Sequence, residues 1–266
     1  MTRRYLIYCV LIAASLMASV SGDVHVHAAT GFADPRFRTT YVTDEAIVTN
    51  FWGPLATATE PLIQMYNGHE RNVQYFDKGR MELTNGQLTL GLLATEMVTA
   101  RIQTGDKDFA PAMPSTTPIA GDDKGGGPSY ATINEHRDKL LNSSPNRAGQ
   151  LPAYYFNSSD QLTNGASVYG DDTYRLTRYD SVTKHNLIEP FAQYRDKVGF
   201  SAVGYAISEP FGATFSVGGK KRGIGVQVFE RRVLTYSLDN SPNFRVEMGN
   251  IGQHYYRWRH TIAGQG

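Results

Sequence analysis

Two similar stretches set the expected fold: VQYFDKGRMEL at positions 73–83 and VQVFERRVLTY at positions 226–236. In the first stretch, Val73 and Tyr75 fall on one face of an extended chain, and Met81 and Leu83 share one face of the segment that follows. This alternation is typical of half-buried β-strands rather than of a helix. Each stretch is therefore predicted to form the centre of an antiparallel β-meander.

Further matches predict an internal duplication. TEPL at 59–62 matches SEPF at 208–211, and Gly91 matches Gly249. The separations are 149 and 158 positions, around the 153 that relates the two long stretches, so insertions have lengthened the turns. In the first copy, the Asn-Gly pairs at 67–68 and 85–86 predict hairpin turns, since both residues tolerate positive φ, while Gly79 predicts a bulge or a bend. In the second copy, strands are predicted at 226–229, 232–237 and 244–248.

Each meander is expected to follow a short helix. Thr43 is a candidate N-cap for a helix over 46–51, and 187–198 suits an amphipathic helix with Pro190 in its first turn. The predicted class is α+β, with two related repeats, each a short helix plus antiparallel β-meander, joined by an irregular Pro/Gly-rich linker. The expected boundaries are 1–28 for a signal peptide, 29–109 for repeat 1, 110–129 for the linker, 130–184 for a loop-rich connecting region and 185–266 for repeat 2.

The overall charge excludes one class of function. The 266 residues include 26 basic and 25 acidic side chains, which gives a net charge of +1. A protein that binds nucleic acid through bulk charge needs a basic excess, so this class is not expected. Positions 220–232 nevertheless hold five basic residues against one acidic residue. The second half therefore has the composition for a local anion-binding surface.

The N-terminus predicts export. Arg3 and Arg4 precede 16 apolar or small residues at 5–20, a length that suits a signal peptide and is short for a membrane span. The export route, Sec or twin-arginine, stays open, as does a retained anchor; contact with a membrane is expected only through an uncleaved signal. Cys9 is the only cysteine and lies inside this segment, so cleavage would leave a protein without disulfides or thiolate nucleophiles.

Several motifs carry a family resemblance. FWGP at 51–54, the stretch at 73–83 and RIQTGD at 101–106 stand in the first half, and FERRVLTY at 229–236 and GNIGQHYYRWR at 249–259 stand in the second. Together they resemble a family of secreted bacterial two-repeat proteins with no established activity, similar to accessory modules of cell-wall or secreted hydrolases. GYAISE at 204–209 is more distantly similar to the LGFP repeats of cell-envelope modules. The resemblance implies export and a tandem architecture, and it transfers no catalytic residue.

Glu60 and Glu209 are candidates for a pair of catalytic carboxylates. Two facing carboxylates can hydrolyse a glycan when their environments push their pKa values apart. The two residues, however, occupy matching places before proline in the two repeats. One structural task performed twice, such as accepting backbone N–H groups at a turn, explains the match better, so no catalytic residue is predicted.

The aromatic and basic C-terminus is the main candidate binding surface. Aromatic rings stack on sugars, and arginine binds carboxylates and phosphates. We predict contacts from Trp52, Tyr255, Arg257 and Trp258. The alternative is that Tyr256 and Trp258, two positions apart, pack on a sheet while the arginines face solvent.

No metal site and no cofactor are predicted, because the histidines show no HExxH spacing. The expected function is a secreted or cell-envelope-associated, non-catalytic module that binds a surface glycan or a protein partner. Two alternatives stay open. One is an extracellular hydrolase that acts on cell-wall polymers with acidic residues in a cleft between the repeats. The other is a structural surface protein that binds copies of itself.

Overall fold

The computed structural model describes residues 31–54, 62–165 and 172–263. The predicted signal peptide and Glu60 lie outside these residues. The described helices are α1 (Pro35–Ile47), α2 (Leu93–Thr99), α3 (Tyr130–Glu135), α4 (Arg137–Leu140), α5 (Glu189–Val198), α6 (Phe200–Val203) and α7 (Ile251–Ala263). The described strands are β1 (Leu62–Tyr66), β2 (His69–Phe76), β3 (Gly79–Thr84), β4 (Gln87–Leu90), β5 (Arg101–Gln103), β6 (Phe109–Pro111), β7 (Tyr154–Phe156), β8 (Leu162–Asn164), β9 (Leu176–Asp180), β10 (His185–Ile188), β11 (Phe211–Val217), β12 (Lys220–Val228), β13 (Val233–Tyr236) and β14 (Val246–Met248).

The first predicted meander forms a four-stranded antiparallel sheet in the order β1-β2-β3-β4. The Asn-Gly pairs at 67–68 and 85–86 are its outer hairpin turns, and all four residues have positive φ, as a type I′ turn requires. The strands and turns predicted from the alternation pattern are thus confirmed.

Gly79 is not a bulge, but the chain does bend at 77–78, directly before it. It pairs with Phe76 and begins β3. A Cβ at Gly79 would lie 1.9 Å from Nη1 of Arg232. The residue is therefore glycine because the Arg232 side chain passes directly over it.

The second meander is part of a larger sheet. Its strands pair in the order β14-β13-β12-β11, and β7 and β8 extend the sheet beyond β11 to six strands. The pairing of β7 with β11 is parallel. The connecting region at 130–184 contains three strands and two short helices: β7 and β8 join the sheet of the second half, and β9 pairs with β10.

The two halves share local geometry at matching sequence positions. Leu62 pairs with Val73 in the first sheet, and Phe211 pairs with Val226 in the second. Each meander is followed by a helix that bonds to the other half. The backbone N–H of Thr95, in α2, donates to the Glu230 carbonyl, and that of Gln253, in α7, donates to the Asp77 carbonyl, both at 3.2 Å. These crossed bonds tie the halves together. The common origin of the halves stays a prediction.

The helices differ in how well the sequence predicted them. The amphipathic helix over 187–198 is present as α5, with Pro190 in its first turn. The helix predicted over 46–51 is wrong: α1 begins at Pro35 with Asp34 as its N-cap and ends at Ile47. The C-terminus forms helix α7 rather than a strand, so the expectation of period-two packing there is also wrong.

The core consists of two clusters of buried side chains, one on each side of the sheets. The first core lies against α1 and α5, and the second core lies against α2, α3 and α7; both contain residues from both halves. Helices covering antiparallel sheets confirm the α+β class.

Candidate functional site

Three of the four predicted contact residues are buried. Trp52 is fully buried in the first core, where its indole N–H donates to Oδ2 of Asp44 at 2.8 Å. Tyr255 is fully buried in the second core, where its hydroxyl donates to Glu96. Trp258, also in the second core, donates its indole N–H to the Met113 carbonyl at 2.7 Å. The prediction that these rings stack on a ligand is wrong, because packing already covers them.

Arg257 is the one predicted contact residue that faces solvent. Its side chain is half exposed, and Nη1 lies 2.6 Å from Oδ2 of Asp123. Burial places Trp52 in one core and Tyr255 and Trp258 in the other. The structure therefore does not bring the four residues together into one site.

Glu209 is a buried structural carboxylate. It accepts hydrogen bonds from the backbone N–H of Asn186 at 2.9 Å and from the Arg147 guanidinium. Burial alone would raise its pKa, but nearby His185 and the hydrogen bonds from Asn186 and Arg147 together hold the pKa of Glu209 below its usual value. The carboxylate is therefore structural, but it fixes strand β10, which is distant in the chain, rather than a turn beside it.

A cleft of about 1200 Å³ is the main candidate site among the described residues. Its first wall is the segment 47–50 after α1, together with Lys78 from the β2–β3 turn. Its second wall is α5, the segment 173–177 and the segment 242–248 around β14. Because both halves contribute, the cleft exists only in the assembled fold.

Exposed apolar side chains stand at the rim of this cleft. Phe244 is 60% exposed and Ile47 is 46% exposed. Tyr194 and Tyr236 line the interior. The cleft thus offers aromatic and apolar surface in a concave setting with a few polar and charged groups, as ligand sites commonly do.

Cations outnumber carboxylates along the cleft. Lys78, Arg175, Lys197 and Arg245 line it, against Glu189 and Glu247. Lys78 is half-buried, and burial lowers the pKa of its ammonium while Glu247 opposes that shift. No carboxylate of the described chain forms an ion pair with Lys78. The inner end of the cleft therefore holds a positive charge that the protein itself does not neutralise by contact.

A second cation lies behind Lys78. Arg232 is 1% exposed, and its guanidinium lies over the rings of Trp52 and Phe51, with Cζ at 4.7 Å and 5.2 Å from their centroids. Its Nε and Nη2 atoms have no hydrogen-bond partner within the described structure. Burial lowers the pKa of Arg232 to about 10. An uncompensated buried cation of this kind is costly and often marks a functional site.

The carboxylates around the inner end are already engaged. Glu45 accepts the backbone N–H groups of Asn50 and Trp52, and Asp44 accepts the Trp52 indole. Burial raises the pKa of Asp44, and the hydrogen bond from Trp52 opposes that shift. The positive potential of Lys78 and Arg232 is thus only partly offset.

The cleft also contains two glutamates. Glu189 accepts hydrogen bonds from the Thr177 hydroxyl and from the Gln193 amide, the second at 2.9 Å. These bonds hold the pKa of the Glu189 carboxylate below its usual value. Glu247 accepts from Nδ2 of Asn240 at 2.9 Å. A general acid needs a raised pKa, so Glu189 fits an acceptor or nucleophile better than an acid.

Sequence reasoning missed this site, although some signals were present. Lys78 lies inside the stretch that predicted the first meander, and the alternation pattern does not distinguish it from any other polar residue there. Arg232 belongs to the basic run that predicted a local positive surface. Phe244 lay in a predicted strand, and only its solvent exposure marks it as available for binding.

Comparison with known protein families, curated proteins and solved structures found no match. The resemblance to secreted two-repeat proteins therefore stays a prediction. Within the described ranges, no helix is both long and apolar enough to cross a membrane. The same residues contain no group of three or more side chains arranged to hold a metal ion.

Proposed function

We propose that this protein is an exported, cell-envelope-associated module that binds a surface glycan without a catalytic role. The observation that carries the proposal is the cleft between the halves, with Phe244 exposed at its rim. Its volume exceeds the range of about 300–1,000 Å³ typical of pockets for single small molecules. A chain of several sugar rings fits such a site better than one small ring does.

The chemistry of the lining supports a carbohydrate. Exposed aromatic rings stack on the apolar faces of sugars, and amide, hydroxyl and charged side chains fix the orientation of hydroxyl groups. Asn50, Thr177 and Gln193 supply such polar groups beside Phe244. A protein partner would more commonly need a larger, flatter apolar surface.

The test is retention of the purified protein on insoluble cell-wall material, followed by titration with soluble wall fragments. We expect Phe244→Ala to weaken binding about tenfold, because one aromatic contact contributes on the order of 1 kcal/mol. Phe200→Ala is the matched control, since Phe200 is 47% exposed and does not line the cleft. Absence of retention, or equal losses in both variants, would overturn the proposal.

A second candidate function is hydrolysis of cell-wall polymers in the same cleft. It is favoured by one observation, the presence of Glu189 and Glu247 in the lining. This candidate predicts release of soluble fragments that stops in Glu189→Gln or Glu247→Gln and continues in Glu70→Gln, an exposed control in β2. Binding without any release would exclude the hydrolase and leave the binding module.

A further inference from the structure

We propose that the glycan held in the cleft is anionic, with Lys78 and Arg245 pairing with carboxylate or phosphate groups on the sugar chain. This inference rests on the proposed function and specifies the chemical class of its ligand. The first step is the charge of the lining, which has four cations and two carboxylates while the whole chain has a net charge of only +1. The lining of the cleft is therefore more positive than the chain as a whole.

The second step is that Lys78 and Arg245 have unused binding capacity. Nε of Arg245 is buried and has no hydrogen-bond partner within the described structure. Lys78 lines the cleft and takes part in no ion pair among the described residues, and its ammonium carries three N–H donors. Buried donors are nearly always satisfied in folded proteins, so donors left open at a concave surface indicate a missing acceptor.

The third step is that Arg232 places a second positive charge close to Lys78. The guanidinium of Arg232 lies against Gly79, which directly follows Lys78 in the chain. Two positive charges this close repel each other, and Arg232 contributes to lowering the pKa of Lys78. An anion at the inner end of the cleft would relieve that repulsion, because it attracts both groups in a region of reduced dielectric.

The fourth step is the spacing of the groups. Phe244 and Arg245 are consecutive, and they line the same cleft as Lys78. A ligand that reaches all three needs an apolar ring face and charged groups on the same chain. An acidic polysaccharide has both, whereas a neutral glycan leaves the cations unpaired and a simple anion leaves Phe244 exposed.

The experiment is titration of the full chain with three probes of similar length: a neutral chito-oligosaccharide, an oligogalacturonate and a glycerol-phosphate oligomer. We expect an acidic probe to bind at least about tenfold more tightly than the neutral one at low salt, with the difference shrinking as salt screens the charges. The carboxylate and phosphate arms then identify which anion the cleft prefers.

Substitutions test whether Lys78 and Arg245 bind the acidic probe. Lys78→Gln and Arg245→Gln should each weaken the acidic probe about tenfold and change the neutral probe less than about twofold. Lys220→Gln is the control, since this exposed lysine does not line the cleft. Arg245→Gln also covers the case in which Lys78→Gln fails to fold.

The possible failures are distinguishable. Equal affinity for neutral and acidic probes overturns the anionic preference and leaves the proposed glycan module standing. Failure to bind any glycan overturns both proposals. Single-stranded DNA that binds as tightly as the acidic glycans, and with the same loss in Lys78→Gln, would show a general polyanion site and overturn the glycan assignment.

Discussion

Replacing Arg232 with methionine should stabilise the protein. The guanidinium is 1% exposed, and two of its nitrogens lack hydrogen-bond partners within the described structure. Methionine keeps a flexible apolar stem of similar length and removes the charge. The substitution therefore tests whether this cation is held at the expense of folding stability.

The magnitude follows from two opposing effects. Burial lowers the pKa of Arg232 from 12.5 to about 10, and at about 1.36 kcal/mol per pH unit the charged form is disfavoured by about 3 kcal/mol. The lost contacts with the rings of Trp52 and Phe51 amount to about 1–2 kcal/mol together. The net expectation is a gain of about 1–2 kcal/mol in the free energy of unfolding, or roughly 4 °C in Tm for a chain of this size.

Urea denaturation at neutral pH, followed by tryptophan fluorescence, measures this difference, and calorimetry gives the Tm. Arg38→Met is the control, because Arg38 is exposed on α1 and its replacement should change stability by less than about 0.5 kcal/mol. If Arg232→Met is less stable than the parent by about 1 kcal/mol or more, the guanidinium is compensated and the reasoning is refuted.

Three further predictions concern packing and pH. Gly79→Ala should cost about 1–3 kcal/mol, since its Cβ would lie 1.9 Å from Arg232 Nη1; urea midpoints should show the loss shrinking when Arg232→Met is added, and an unchanged loss would contradict the contact. Trp258→Ala should cost about 3–5 kcal/mol through the cavity it leaves, so its thermal midpoint should fall well below that of exposed Phe200→Ala, and a variant as stable as the parent would argue against burial. Because its folded pKa is depressed, Glu209 contributes stability that is present above its unfolded pKa of 4.5 and is lost as pH falls further; Glu209→Gln should be less stable at pH 7 and less sensitive to acid below pH 4.5, and parallel stability curves for parent and variant would refute this.

In the C-terminal segment, the spacing of the aromatic residues predicted the wrong secondary structure. Tyr256 and Trp258 suggested a strand, yet the buried positions Ile251, His254, Tyr255 and Trp258 follow the spacing i, i+3, i+4 and i+7 of a helix. The signal was in the sequence, but two competing periodicities fit so short a segment. Packing against β2 and β3 decides between them, because it buries the helical face.

Local patterns alone determined the parts of this protein that depend on neighbouring residues. Alternating apolar positions predicted the central strands, and the Asn-Gly pairs predicted hairpin turns because few other residues adopt positive φ without strain. The same alternation, together with the amphipathic stretch at 187–198, predicted the α+β class. These features need only the chemistry of a few consecutive residues.

Only the tertiary structure decided which side chains are available to a ligand. Trp52 and Phe244 are both large aromatic residues, but the first is covered by a core from both halves and the second is left at the rim of the cleft. Lys78 and Arg245 are 167 positions apart, and they form one site because the crossed bonds between the halves bring their turns together. Burial and charge balance result from contacts between distant segments, and for that reason the pattern of neighbouring residues could not reveal them.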